Sequence, residues 1–287
     1  MTSSRYSIRG LRAPDIDTAL TLMSLANPDY DEQELEATRH LLEMATASAG
    51  SGPTEEGLRS MSRELANLSG GVLTADDAYR KLRERTADGE NPLSDAMVTL
   101  VAEETATGQV VGLVNAGPPG KWSHHAVTRL PAPMVHQMRD RVVEISDIAV
   151  LPGARRQGLG GQLIDALLNL DSERARGWRM AVWFFHENRG FGDWHRSLCP
   201  EWPVGRPITF LDSERQPASF RELNGDLRAC VAPLHPDLKL VMDPTGVPAI
   251  DGVFDQPWPQ LGPALPRTKP SKADRKREKR QRGRARG

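Results

Sequence analysis

The sequence predicts an α/β fold, and three observations carry that prediction. A strand feeds a helix near the start of the chain, an antiparallel hairpin stands in its middle, and a later strand ends in a glycine-rich turn that opens a helix. The chain has 287 residues, 38% hydrophobic and 26% charged, enough apolar material for one large domain or two small ones. No stretch approaches the roughly 18 uninterrupted apolar residues of a membrane span, and the opening residues lack the apolar run of a signal peptide. A cytoplasmic protein is expected. Cys199 and Cys230 are too few for a disulfide framework and too far apart in sequence for a zinc knuckle, so they read as reduced structural thiols.

Residues 5–11 alternate apolar and polar, with Tyr6 and Ile8 on one face, and Ala13-Pro14-Asp15 then opens a helix carrying Ile16, Ala19, Leu20 and Met23. Three further helical patterns lie at 35–44, 58–68 and 75–82, separated by Gly50-Ser51-Gly52-Pro53 and Ser69-Gly70-Gly71. Thr54 before Glu55 and Glu56 suits the positive end of the second. β-Branched runs at 97–103 and 110–115, joined by Glu104-Thr105-Ala106-Thr107-Gly108, give the hairpin. A long polar loop is expected from 117 to 141. Residues 142–150 read as a strand closed by Leu151-Pro152-Gly153-Ala154, and 162–170 as a helix with Leu163, Ile164, Leu167 and Leu168 on its apolar side. A further strand is expected at 180–185, then loop and helix over 188–198. Strands are expected again at 207–211 and 238–242, flanking a helix at 220–228.

Charge is unevenly spread. Residues 267–287 hold 11 Lys or Arg against Asp274 and Glu278, leaving 26 basic and 36 acidic residues before them. A dense like-charge run with no apolar partner cannot offset its ordering entropy, so 267–287 reads as a disordered basic tail behind a Pro/Gly-rich linker at 246–266.

The turn at 155–161 reads Arg-Arg-Gln-Gly-Leu-Gly-Gly. A strand ending in such a turn and feeding a helix presents unpaired backbone N–H groups to one point, and an anion belongs there. Gly158, Gly160 and Gly161 remove Cβ atoms that would hold a pyrophosphate off the backbone, while Arg155 and Arg156 add charge at the rim. A nucleotide P-loop needs Gly-Lys-Ser/Thr, which is absent, and the dinucleotide pattern fails because Leu163 stands at its last glycine.

Arg155-x-x-Gly158-x-Gly160 resembles the acetyl-CoA motif (Gln/Arg)-x-x-Gly-x-(Gly/Ala) of the GNAT superfamily, and Ile148-Ala149-Val150-Leu151-Pro152 resembles that family's fourth strand. The resemblance implies a mixed, mostly antiparallel central sheet flanked by helices over 5–245, with an enlarged helical region at 31–90. It implies an N-acetyltransferase that uses acetyl-CoA as co-substrate and acts on an amine acceptor, small molecule or protein. Backbone N–H groups of Gln157, Gly158, Leu159, Gly160 and Gly161 would hold the pyrophosphate, and the pantetheine arm would pair with backbone around Ile148, Ala149 and Val150.

Acyl transfer needs a neutral amine and a supported leaving thiolate. Glu144 matches the position at which histone-type members carry a general base, and a period of two puts it on one face with Ser146, Ile148 and Val150. A solvent-facing carboxylate paired with an arginine is the plain alternative, and Asp147, on the other face, is the second choice as base. Many relatives carry an acid tyrosine seven residues after the asparagine that closes the fifth strand. Here Asn188 is followed at that distance by His195, whose imidazole could act as acid or base, or stand as a polar helix residue beside Trp194. Asn188 suits a hydrogen bond to a pantetheine amide, or a turn. His124, His125 and His136 match no standard ligand spacing, and no metal is expected. A second reading stays open, in which the fold only binds CoA and the basic tail docks on nucleic acid or another anionic surface.

Overall fold

The computed structural model describes residues 5–46, 55–68, 74–87, 97–119, 132–170, 175, 177–221 and 225–258. His124, His125, the basic tail at 267–287, the turns expected at 50–53 and 69–71 and the helix start expected at Thr54 lie outside the described residues. The strands are β1 (Tyr6–Gly10), β2 (Val98–Glu104), β3 (Val110–Gly117), β4 (Val142–Val150), β5 (Met180–His186), β6 (Ile208–Leu211), β7 (Pro217–Arg221), β8 (Leu227–Pro233), β9 (Lys239–Met242) and β10 (Pro248–Asp251). The helices are α1 (Ile16–Ala26), α2 (Glu32–Thr46), α3 (Glu55–Leu68), α4 (Ala75–Ala87), α5 (Ala132–Arg141), α6 (Leu159–Leu168) and α7 (Gly192–Leu198).

The main sheet has the order β1-β2-β3-β4-β5-β8. Its neighbours are antiparallel except β4 and β5, which run parallel. Helix α6 covers one face, where Leu159, Leu163, Ile164 and Leu167 pack with Val111, Val114, Val143, Ile145 and Trp183. On the opposite face α1 seats Ile16, Ala19, Leu20, Leu22 and Met23, joined by Leu42 of α2, against Val101, Leu113 and Ala149. The apolar stripe read in the sequence of each helix is therefore the stripe it buries. Helices α3 and α4 pair through Leu58, Met61 and Leu82, with Leu41 of α2 beside them.

Two local details set the site. Pairing of β4 with β5 covers Val142–Ile145 against Met180–Trp183 and then stops, while β5 continues along β8 to His186. The parallel pair thus splays open from Ser146 onward. In the β3–β4 ladder Asn115 pairs with Asp147 and Ala116 with Ile145, so Ser146 is an extra residue, a β-bulge. Val143 and Ile145 lie in the α6-side core before it, and Ile148 and Val150 join that same core after it, whereas Ala149 packs on the α1 side. One bulged residue exchanges odd and even positions, which overturns the expected alternation. Glu144 shares a face with Asp147 and Ala149, not with Ile148 and Val150.

Gly160 has a role other than clearing space for phosphate. A Cβ there would fall 2.7 Å from Cζ2 of Trp194, so the missing side chain lets α6 approach α7. Gly160→Ala is expected to destabilise the fold by about 1–3 kcal/mol through overpacking, read as a lowered Tm in thermal unfolding.

The C-terminal part differs most from expectation. The segment expected as a helix at 220–228 instead holds the end of β7 and the start of β8, because Ala229, Cys230 and Val231 are buried in register with β5. The expected linker from 246 begins inside a second sheet, of order β7-β6-β10-β9. Ile250, Val253 and Phe254 are buried, with Phe254 edge-on to Phe210 at 5.7 Å. Arg141 donates to the Val253 carbonyl at 2.7 Å and Arg179 to the Gly252 carbonyl at 2.7 Å. The compact unit therefore runs to Pro257. The polar loop expected up to 141 contains α5, anchored by buried Met134 and Met138. Among the described residues no helix is long and apolar enough to cross a membrane.

Candidate active site

Strand β4 ends at Val150, a short 3₁₀ turn (Pro152–Ala154) follows, and α6 begins at Leu159. Between them the backbone turns left-handed at Arg156 (φ 61°) and at Gly158 (φ 73°). Among the described residues no backbone carbonyl or side chain accepts from the N–H groups of 157–161, while the next one, Gln162, donates to the Gly158 carbonyl at 3.1 Å. Five successive donors at the positive end of a ten-residue helix form a cradle for an anion. The loop is braced from outside. Arg155 Nε donates to the Val150 carbonyl at 2.8 Å, and the Gln157 side-chain oxygen accepts from the Tyr6 hydroxyl at 3.1 Å and from Arg5 at 3.3 Å.

A cavity of about 1080 Å³ starts at this cradle, lined there by Arg155, Arg156, Gly158, Leu159 and Gly160, and continues along the split between β4 and β5. The Leu151 N–H donates to the Val111 carbonyl, which fixes the phase of the β3–β4 ladder. Antiparallel alternation then turns the backbone groups of Ile148 and Val150 away from β3 and into the split. Trp183, Phe185, Trp194 and His195 form the wall on the β5 side. Beyond Ser146 the cavity reaches Glu144, Asn115, Tyr30, Arg139 and the apolar Leu25, Leu41, Met61 and Met97. Arg189 ties the two rims, donating to Asp29 at 2.6 Å and to Asn27 at 3.4 Å.

At the bulge a buried polar chain joins three elements. Thr99 donates to Asn115 Oδ1 at 3.0 Å, Asn115 Nδ2 to Asp147 Oδ2 at 3.3 Å, and the Tyr30 hydroxyl to Asp147 Oδ1 at 3.1 Å. Asp147 is only 3% exposed and does not line the cavity, so its carboxylate orients Tyr30. Burial beside that carboxylate pushes the Tyr30 phenol well above its ordinary range.

His195 sits in an apolar box. Its ring stacks on Phe185 at 4.4 Å and meets Trp194 edge-on at 4.7 Å, and Trp183 Nε1 donates to its Nδ1 at 3.1 Å. Burial, aided by the charge of Arg196, pushes the imidazole down to about 4. At neutral pH the ring is uncharged with its proton on Nε2, since Nδ1 accepts from Trp183, so of the roles open to it the neutral polar residue fits this setting better than the imidazolium acid. The unfolded chain binds a proton near the ordinary value of 6.5, the folded one only near 4, so stability falls as pH drops through that window. The loss approaches about 3 kcal/mol. Denaturant unfolding at about pH 7 and about pH 4.5 is expected to show it in the native chain and not in His195→Asn.

Of the residues expected from sequence, Glu144, Ile148, Ala149, Val150, Arg155, Arg156, Gly158, Leu159, Gly160 and His195 line one cavity. Gln157 and Gly161 contribute through the cradle. Asn188 does not reach it, because it stands exposed in the 3₁₀ turn Glu187–Arg189, which is the turn role open to it. Tyr30, Asn115, Arg139 and Trp183 were not legible. Only the aromatic run at 183–185 offered a signal, and it reads equally well as plain core. Cys199 and Cys230 are free thiols. Among the described residues no group of three His, Cys, Asp or Glu is arranged to hold a metal.

The chain matches the model of the acetyltransferase (GNAT) family over residues 69–191, a span that holds β2 to β5, the cradle and α6. No curated protein matches it. Solved structures similar to it include a GNAT-family protein from Desulfovibrio desulfuricans, at 12% identity over 80% of this chain and 99% of that one, with a TM-score of 0.41. Diaminobutyrate acetyltransferase from Paenibacillus lautus, solved with L-2,4-diaminobutyric acid and coenzyme A, is 14% identical over 83% of this chain and 100% of its own, with a TM-score of 0.37. Spermidine N-acetyltransferase from Vibrio cholerae, solved with CoA and spermine, is 12% identical over 81% and 97%, with a TM-score of 0.36. At such scores the assignment rests on the sequence match together with the cradle and the split. Over residues 69–191, the span that holds β4 and the turn that follows it, the chain is similar to the acetyltransferase (GNAT) family.

Proposed function

We propose that this chain transfers the acetyl group of acetyl-CoA to a primary amine by direct attack within a ternary complex. The observation that carries the reading is one continuous cavity running from the unmet N–H groups at 157–161, through the split, to Glu144. The cradle N–H groups and the rim charges of Arg155 and Arg156 hold the pyrophosphate, and the free backbone groups of Ile148 and Val150 pair with the pantetheine amides. The thioester supplies an activated carbonyl carbon.

An alkyl amine has a pKa of roughly 10.4 and arrives protonated, so a base must accept a proton for attack. Glu144 fills that role. The nitrogen lone pair forms the C–N bond, the C–S bond breaks with its electron pair leaving on the CoA sulfur, and the second proton, shed by nitrogen as it becomes the amide, is taken up by that sulfur to give the free thiol. His195 acts here as a neutral hydrogen-bond donor through Nε2 toward the departing sulfur, not as a proton source. The buried chain from Thr99 to Tyr30 fixes the wall opposite.

A thiol-release assay with acetyl-CoA across a panel of primary amines tests the reading. Turnover with at least one amine, with mass spectrometry locating the added acetyl group on nitrogen, is the expected result. CoA binding with no turnover on any amine would sink it.

A further inference from the structure

The acceptor end of the cavity holds a cation that acetyl transfer does not use. Arg139, on the last turn of α5, lines it, and its Nε is buried with no hydrogen-bond partner. Among the described residues no carboxylate or carbonyl engages this guanidinium. Its neighbour on the same helix, Arg141, is matched by the Val253 carbonyl and by Asp255. A part-buried guanidinium that no carboxylate or carbonyl of the described residues meets is unfavourable until a ligand completes it, and its planar fork fits a carboxylate.

The phosphates of the donor are the wrong anion for it. Their cradle follows the C-terminal end of β4, whereas Arg139 precedes its N-terminal end, and a nine-residue strand of roughly 30 Å separates them. Glu144, the third residue of β4, lies at the same end as Arg139. The lining of the cavity also offers the apolar Leu41, Met61 and Met97, beside the polar Tyr30, Glu34 and Asn115.

We infer that the acceptor is an amino carboxylate: its amine faces Glu144, its carboxylate forks onto Arg139, and its carbon skeleton lies on the apolar lining. This rests on the transfer reading above. The test is calorimetric binding to the full chain saturated with CoA, using matched probes: leucine against isoamylamine, methionine against 3-(methylthio)propylamine, ornithine against putrescine. At least one amino acid is expected to bind about tenfold or more tightly than its decarboxylated partner, the range of one charge-assisted contact. Arg139→Met should abolish that preference, and Arg139→Lys, which keeps the charge without the fork, should retain only part of it. A CoA titration of each variant reports whether it is folded.

If no amino acid binds better than its amine, or if the preference survives Arg139→Met, the inference is overturned. Because the readout is binding, the two readings fail separately. An Arg139-dependent preference without acetylated product upholds the carboxylate site and overturns the transfer. Amine turnover with no carboxylate preference does the reverse.

Discussion

Glu144→Gln is expected to lower kcat by about 10²–10⁴-fold, the range for removing a positioned general base, while CoA still binds. That corresponds to about 3–5 kcal/mol of lost transition-state stabilisation. The amide keeps the size and much of the hydrogen bonding of the carboxylate, so the change removes proton acceptance with little loss of packing. The pH profile separates this from a structural effect. Without the base, rate depends on the fraction of amine already neutral and climbs about tenfold per pH unit below the amine pKa of roughly 10. The native chain is expected to show a shallower rise. A Gln variant with native kcat and a native profile would remove Glu144 from the chemistry, and the buried Asp147 would not replace it, since that carboxylate is committed to Tyr30 and Asn115.

The second large effect is expected at the cradle. Gly158 holds φ 73°, and a Cβ there would meet only the Gln162 side-chain nitrogen, at an ordinary 3.8 Å, so what restricts a side chain there is backbone conformation, not crowding. A β-branched residue is strained at that angle by about 1–3 kcal/mol and relaxes by turning the loop. Gly158→Val therefore re-aims neighbouring N–H groups away from their common point. Each lost contact to a charged oxygen is worth about 1.5–3 kcal/mol, so CoA affinity is expected to fall about 10–100-fold or more. Calorimetry with CoA checks it. The contrast with Gly160 is informative, because Gly160→Ala acts on stability through Trp194, whereas Gly158→Val acts on the ligand. Unchanged CoA affinity in Gly158→Val would show that the phosphates sit elsewhere.

The elements that were legible in the sequence are those whose cause is local. The strand at 142–150, the left-handed glycine at 158 and the following apolar stripe are written in consecutive residues, and they led to the family and to the donor end of the site. The acceptor end depends on relations that no short window contains. Ser146 looks like any strand residue, yet as a bulge it moves Glu144 and Asp147 onto one face. His195 was found by spacing, but its chemistry comes from Trp183 and Phe185 on another element, which make it a neutral donor. The stretch at 220–228 carries a helix-like pattern that loses to register, since Cys230 pairs with Trp183 and Ala229 with Phe184 across the sheet. Ile250 and Phe254 sit in a Pro/Gly-rich stretch that reads as linker until Phe210 is seen to need them. Arg139 lies in a segment that reads as polar loop, and only the cavity gives it meaning.

The most direct test is a crystal structure of the chain with CoA. Pyrophosphate oxygens are expected about 2.7–3.2 Å from N–H groups of 157–161, with the pantetheine between β4 and β5 and the sulfur toward Ser146. A pyrophosphate held away from this turn, or an arm lying outside the split, would contradict the assignment of this cavity to acetyl transfer.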